Sequence, residues 1–266
     1  LPEDAPERKA IEISNPLGED FSIMRTIPLN GMLLSLANNY NRRNKTASLY
    51  EIGNIYLPKE LPLTTLPEER KMLTLGMYGE GDFFTMKGVL EDIFAKLGIV
   101  KDFTYDPKGG YSFLHPGRQA AIRDGEDVVG YIGQLHPQVV DNYDMKGEVY
   151  VAVLDLPKVT ELSSFDRKYE GIAKYPASTR DLSMVMDKQI FVGQIEEVIR
   201  KQGGKLLESY QLFDVYEGEQ VGAGKKSVAY TMTFRAKDRN LEADEVNAAT
   251  NKIIEGLKKL GIELRG

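Results

Sequence analysis

The chain contains no cysteine and only two histidines, His115 and His136. Disulfides and thiolate-bound metals are therefore excluded, and two imidazoles are too few for a four-coordinate structural zinc. Each histidine precedes a proline, which favours extended or turn backbone, so both read as structural. No Ser or Cys sits in a nucleophile elbow and there is no His-Glu-x-x-His helix. The acids form no carboxylate pair that the sequence can identify, so no catalytic and no metal-binding residue is expected. There is also no apolar run of about 18 residues, so no membrane span is expected. The acidic, proline-rich start Leu1-Pro2-Glu3-Asp4-Ala5-Pro6-Glu7 has neither the basic head nor the apolar centre of a secretory signal. It opens on Leu1 rather than Met, so we expect a piece cut or processed from a longer chain. A cysteine-free chain suits a cytoplasmic location.

What remains is an ordinary globular composition, 42% apolar and 28% charged over 266 residues, enough for one large domain or two of usual size. The net charge of −6 argues against simple electrostatic attraction to nucleic acid. Its distribution is uneven. Residues 1–171 hold 19 Lys and Arg against 26 Asp and Glu, whereas residues 172–266 hold 15 against 14. A balanced domain can still bind RNA through one basic face.

Hydrophobic spacing gives a coarse outline. Ile11-Glu12-Ile13 alternates like a short strand. Leu29, Met32, Leu33, Leu36 and Tyr40 recur at helical spacing after Pro28, and Leu49 to Leu57 reads as a strand with Tyr50, Ile52 and Ile55 alternating imperfectly around Gly53. Residues 59–69 read as a surface loop and Met72 to Tyr78 as a strand. Phe84 to Leu97 reads as a helix closed by Gly98. Strands are expected over 119–123, 128–135 and 149–156, with Asp124-Gly125 as a hairpin turn. Few helices among many strands favour an α+β domain with an antiparallel sheet. Polar, irregular residues 161–175 contain the best linker. We divide the chain into a domain over 1–165, a linker over 166–172 and a second domain over 173–266.

The second domain reads strand 181–187, helix 191–202, strand 206–216, strand 227–235, helix 242–260 and a short strand 262–264, the βαββαβ order of ferredoxin-like folds. Along 227–235, Val228, Tyr230, Met232 and Phe234 form one face, and Ser227, Ala229, Thr231, Thr233 and Arg235 the other. Strand 181–187 alternates in the same way. Helices cover only one face of such a sheet, so the small polar set should face outward. With Arg180, Lys225, Lys226 and Arg235 nearby, and Tyr210 or Tyr216 able to stack, that face suits unpaired bases. From these residues alone a plain solvated sheet face, common in this fold, is the better reading. Gly222-Ala223-Gly224-Lys225-Lys226-Ser227 has the look of a phosphate loop, but Glu219 stands where the first glycine belongs, Lys226 follows the Gly-Lys pair, and the segment joins two strands. A basic hairpin loop is the better description.

Residues 173–266 resemble the ferredoxin-fold anticodon-binding domain that ends the β chain of bacterial phenylalanyl-tRNA synthetase. The resemblance is carried by Tyr175-Pro176, Arg180-Asp181-Leu182, Gly203-Gly204-Lys205-Leu206-Leu207-Glu208, Leu212-Phe213-Asp214-Val215-Tyr216, Gly224-Lys225-Lys226-Ser227, Thr233-Phe234-Arg235 and Glu245-Val246-Asn247. The first part is similar to the preceding domain of that chain, through Asn15-Pro16-Leu17-Gly18-Glu19-Asp20, Met24-Arg25-Thr26, Leu49-Tyr50-Glu51-Ile52-Gly53, Asp82-Phe83-Phe84, His115-Pro116-Gly117-Arg118 and Leu135-His136-Pro137.

The resemblance implies a class II synthetase-like antiparallel sheet domain without catalysis of its own, packed on a catalytic α subunit in an α2β2 enzyme, and an anticodon-binding domain for phenylalanine tRNA. The whole enzyme would use ATP and Mg²⁺, and this chain would bind neither. The Arg-x-Glu strand of active class II sites is missing, because no Arg stands two residues before Glu51, and Gly117-Arg118 is only a fragment of the later motif. Arg118 and His115 are expected to be structural or interface residues. Glu242 stands where the family favours a Thr cap, with Asn240 as a substitute. The family's longer N-terminal part, with its editing and magnesium-binding regions, has no counterpart in these residues. By position, Arg180, Lys225 and Arg235 are expected to meet phosphates, Ser183, Ser227 and Thr231 base edges, and Tyr216 to stack. Neither DNA nor a membrane is an expected partner. The rival functions are a ferredoxin-like small-molecule sensor and a chain active by itself.

Overall fold

The computed structural model describes residues 1–166, 169 and 171–265. Arg167, Lys168 and Glu170, which fall in the expected linker 166–172, and the terminal Gly266 lie outside the described residues. The chain divides into two compact units at residues 168/169.

The first unit is built on a six-stranded, wholly antiparallel sheet in the order β1-β2-β6-β5-β4-β3. Its strands are β1 (Ala47–Leu57), β2 (Glu68–Tyr78), β3 (Thr104–Asp106), β4 (Leu114–Asp124), β5 (Asp127–Leu135) and β6 (Val149–Asp155). Its helices are α1 (Leu29–Asn41), α2 (Phe83–Lys96), α3 (Pro137–Asn142) and α4 (Leu156–Glu161). All of β6 is buried, because Val149, Val151 and Val153 pack with α1 while Tyr150, Ala152 and Leu154 pack with α2 and α4. A strand covered on both faces carries a continuous apolar run rather than an alternating one.

Strand β1 departs from expectation. Leu49 and Ile55 turn toward α1, while Tyr50 and Ile52 are 74% and 56% exposed. These two stand beside Leu75 and Leu73 of β2 on the face that α2 and α4 cover, but β1 is the edge strand. Beneath α1, the Arg25 guanidinium lies across Gly53 and is held by Glu51 at 2.6 Å and the Asn54 carbonyl at 2.7 Å. The expected strand at Ile11-Glu12-Ile13 is reduced to one bridge between Glu12 and Ile23. Elements β3, α3 and α4 were not foreseen. Each is three to six residues long, too short for a period to show. Side chains of His136 and Asp155 cap α3 and α4, and a proline opens each helix's first turn.

The second unit contains β7 (Ser178–Asp187), α5 (Val192–Gly203), β8 (Leu207–Tyr216), β9 (Lys225–Phe234), α6 (Ala243–Lys258) and β10 (Glu263–Leu264). The order β10-β7-β9-β8, antiparallel throughout, is the ferredoxin-like sheet. Leu182, Met184 and Met186 of β7 and Val228, Tyr230, Met232 and Phe234 of β9 pack with Ile195 and Ile199 of α5 and Val246, Ile253 and Leu257 of α6. Tyr230 and Phe234 are wholly buried, a contribution of about 1.5–3 kcal/mol each. Strand β8 lies at an edge and carries two register shifts against β9, at 207/209 and 212/214. The cap of α6 is Glu242 rather than Asn240. Its backbone N–H donates to the Glu245 carboxylate at 3.1 Å, and Arg239 holds the same carboxylate through two nitrogens at 2.6 and 2.7 Å. A Thr is therefore not needed at this helix start.

Two glycines of the first unit should respond in opposite directions. A Cβ on Gly130 would overlap the Val153 carbonyl of the neighbouring strand, so Gly130→Ala should destabilise this unit by about 1–3 kcal/mol. Gly88 sits on the open side of α2 with nothing within 4 Å, so Gly88→Ala should stabilise by up to about 1 kcal/mol. Urea denaturation of the two variants checks both signs.

Candidate nucleic-acid interface

The helix-free face of the second sheet is a set of cross-strand rows. Thr179, Thr233 and Ser209 share one row, and Asp181, Thr231 and Gln211 the next. Ser183, Ala229 and Asp214 follow, then Val185, Ser227 and Tyr216. On the far side Glu263 stands opposite Val185, and Arg265 donates its backbone N–H to the Ser183 carbonyl, which aligns Arg265 with the Ser183 row. Apart from Val185 and Tyr216, the middle of this face is hydroxyls, an amide, acids and a methyl. Such a surface offers hydrogen bonds without bulk, and Tyr216 at one end is 38% exposed.

The residues expected to bind RNA are not all on this face. Ser183, Thr231, Ser227 and Tyr216 are. Arg180 has the parity of Leu182 and Met184, so it turns to the helix side, where it donates to the Asn247 side chain of α6 at 3.3 Å. Tyr210 likewise turns inward, its ring 6.3 Å from that of Tyr230. Arg235 follows β9 and is held by both Glu208 carboxylate oxygens, at 2.9 and 3.0 Å, and by the Tyr175 carbonyl. Lys225 is exposed, in register with Asp187 at the sheet's end. The Thr231 hydroxyl donates to Asp181 at 2.6 Å. Ser227 is only 4% exposed.

Several polar residues on this face were passed over, Asp214 and Arg265 among them. Asp214 shares the parity of Tyr216, so alternation alone could have placed it there. Arg265 lies past the last apolar residue, and only the pairing of β10 with β7 shows its position. Near Tyr216, Lys188 donates to Glu217 at 2.8 Å and holds that carboxyl below the usual range. Burial lowers Lys226.

In the first unit, Glu51 is engaged by Arg25. Arg118 donates to Gln134 at 2.5 Å and to Glu148 at 2.7 Å, and Tyr150 donates to the second Glu148 oxygen at 2.7 Å. The ring Nδ1 of His115 accepts from the Gly117 N–H and that of His136 from the Gln138 N–H, so each imidazole closes its own turn. Among the described residues no three acidic or imidazole side chains converge on a metal position.

These contacts carry two expectations. Arg235→Ala should lower the stability of the second unit by about 1 kcal/mol, since it removes a two-oxygen ion pair that is only partly exposed, and chemical denaturation measures this. Burial and then the Glu148 hydrogen bond push the Tyr150 hydroxyl up to about 12, while Tyr150 and Arg118 hold the Glu148 carboxyl low. A phenol raised from its unfolded value of about 10 stabilises the fold below that pH, and the contribution is lost as pH climbs through the folded value. Glu148→Gln should move the Tyr150 titration downward, as read by carbon NMR of ring-labelled tyrosine.

Comparison with known proteins adds a second line. Residues 1–156 match the family described as the phenylalanyl tRNA synthetase beta chain CLM domain, and residues 173–265 match the ferredoxin-fold anticodon binding domain. The phenylalanine–tRNA ligase beta subunit of Clostridium acetobutylicum is 45% identical over 266 residues, which is 100% of this chain and 33% of that protein. The subunit of the same name from Clostridium tetani is 41% identical over 100% of the chain and 33% of its own length. That of Symbiobacterium thermophilum is 39% identical over 277 aligned residues, 100% of the chain and 31% of its own length. The chain thus spans about a third of the curated relatives it matches.

Proposed function

The chain belongs to the family of phenylalanine–tRNA ligase β subunits, and we propose that its second unit holds the anticodon region of phenylalanine tRNA while its first unit packs on the catalytic α subunit. The observation that carries the RNA reading is the helix-free face, with rows of small hydrogen-bonding side chains ending at Tyr216. Unstacked bases need such a surface, because their edges take hydrogen bonds from hydroxyl, carboxylate and guanidinium groups and their faces stack on an aromatic ring. We assign Tyr216 to stacking and Ser183, Thr231, Asp214 and Arg265 to base edges, with Ser227 reached once it is uncovered. Lys225 stands at the margin for phosphates, whereas Arg180 faces the helix side beside Asn247. Arg235 braces the platform through Glu208 more than it offers a free cation.

The α-facing surface we assign to α1. Its 13 residues carry no charge, and its outer side, with Asn30, Leu34, Asn38 and Asn41, lines an open groove of about 510 Å³ with Asn142, Tyr143 and Asp144. Leu34 is 48% exposed. A neutral, amide-lined helix face with an exposed leucine suits a second helix better than it suits bulk water, since cores of interfaces are depleted in charge. The domain division follows the same lines, 1–165 for α docking, 166–172 as linker and 173–266 for RNA.

Catalysis we place on the α subunit. There ATP and Mg²⁺ would activate phenylalanine for transfer to the tRNA in an α2β2 enzyme. The residues of this chain do not suit ATP. The strand that would hold it lacks an arginine beside Glu51, and Glu51 already serves Arg25. We place the enzyme in the cytoplasm. No described helix is long and apolar enough to cross a membrane.

Titration with the phenylalanine anticodon stem-loop at low salt, followed by amide shifts, tests the RNA reading. Shifts on Ser183, Thr231 and Tyr216 that weaken with a scrambled loop are expected, and Tyr216→Ala should lose about 1–3 kcal/mol of binding. Equal shifts with both loops, or none, would remove the anticodon role. For the other surface, Leu34→Glu should abolish co-purification with the α subunit and leave the chain's own unfolding midpoint nearly unchanged.

A further inference from the structure

The connection from β8 to β9, residues 217–224, lies where nothing in the sheet requires it. Gln220 belongs to the β8–β9 end of the sheet, yet its side-chain oxygen accepts from Arg265 Nη2 at 3.4 Å. Arg265 follows β10, which is separated from β9 by β7. Two strand spacings, about 10 Å, lie between them. The opposite face is filled by α5 and α6, so the two side chains meet over the helix-free face.

Burial agrees. Val221 is 7% exposed but is not among the side chains packed beneath the helices. Ser227 points to the helix-free face and is still 4% exposed, against the open Thr179 two rows beyond Ser183. The ends of the connection are tied down. Lys188 holds Glu217 at 2.8 Å and donates its backbone N–H to the Gly224 carbonyl, and Gly222 and Gly224 take φ of 87° and 76°, where side chains are disfavoured. Between them is a single tight turn over Glu219–Val221.

We propose that residues 217–224 form a strap closed over the Ser227 end of the face, fastened by Gln220 to Arg265, and that RNA must lift it to reach Ser227 and free Arg265. This rests on the reading of the face as an RNA platform, but the closed strap itself is a property of the protein alone. Closing lowers apparent RNA affinity by the fraction of molecules that are open.

The absence of cysteine makes the test direct, since one introduced thiol is the only one present. Ser227→Cys and Thr179→Cys would each be made in the whole 266-residue chain and alkylated with iodoacetamide under conditions where both stay folded. The Ser227→Cys thiol is expected to react at least about tenfold more slowly than the Thr179→Cys thiol. Adding Gln220→Ala or Val221→Ser should raise the Ser227→Cys rate about tenfold and leave the Thr179→Cys rate alone. Unmutated Ser227 with Val221→Ser should bind the anticodon stem-loop more tightly than the parent chain. A Ser227→Cys rate insensitive to both strap changes would overturn the strap, because neighbouring strands alone would then bury the serine. Strap-dependent labelling with unchanged RNA affinity would overturn the gating. Strap-dependent labelling in a chain that binds no RNA would overturn both the gating and the reading of the face, while the closed strap would stand.

Discussion

Strand β9 has to bury Val228, Tyr230, Met232 and Phe234, and a strand that buries one side chain turns the next away. The second unit follows from that constraint. Two helices supply the cover on one side, and their packing fixes β7 in register so that Leu182, Met184 and Met186 fall under the same helices. The opposite face is then composed by default of whatever alternates with the core, which here is mostly hydroxyls, acids and other small or polar groups. A surface assembled this way needs no stability of its own, because the core on the other face holds the backbone beneath it.

This division was readable because the alternation in β9 is clean. Ser227 and Thr231 are placed on one face by counting from Phe234, Tyr216 is offered with Tyr210 as a stacking candidate on the neighbouring strand, and the structure puts Ser227, Thr231 and Tyr216 on one face. Arg180 and Tyr210 lie off that face, the first because proximity along the chain does not set which way a strand residue points, the second because a bulge in β8 lies between it and Tyr216. Arg180 has the parity of the buried Leu182 and Met184, whereas Tyr210 shares the parity of Tyr216 and is turned to the other face only by the register shift between 212 and 214. Arg265 could not be read, because a two-residue strand carries no period. Its position depends on pairing between residues some 80 apart in the chain, such as Glu263 with Val185. The partner of Arg235 was invisible for the same reason, since Glu208 approaches only after β8 has paired with β9.

The first unit was legible at the level of its longer helices and its antiparallel sheet, and less so in its surfaces. Strand β6 announces itself as a run of apolar residues. Strand β1 looks similar in composition but sits at the edge, where one face lacks a helix. Composition alone does not separate an apolar residue that is covered from one that is not, and Tyr50 and Ile52 are of the second kind. The uncharged outer side of α1 poses the same question. Its amides carry enough polarity to be stable in water and too little charge to resist a neighbouring helix.

The two register shifts in β8 have a further effect. A long, regular edge strand offers a row of unpaired amides and carbonyls to any other extended chain, and an exposed flat face beside it makes such pairing more favourable. Each bulge interrupts that row and increases the local twist, so that no long stretch of β8 can be matched by a straight strand from another molecule. A sheet with one bare face thus has an interrupted rather than a continuous free margin.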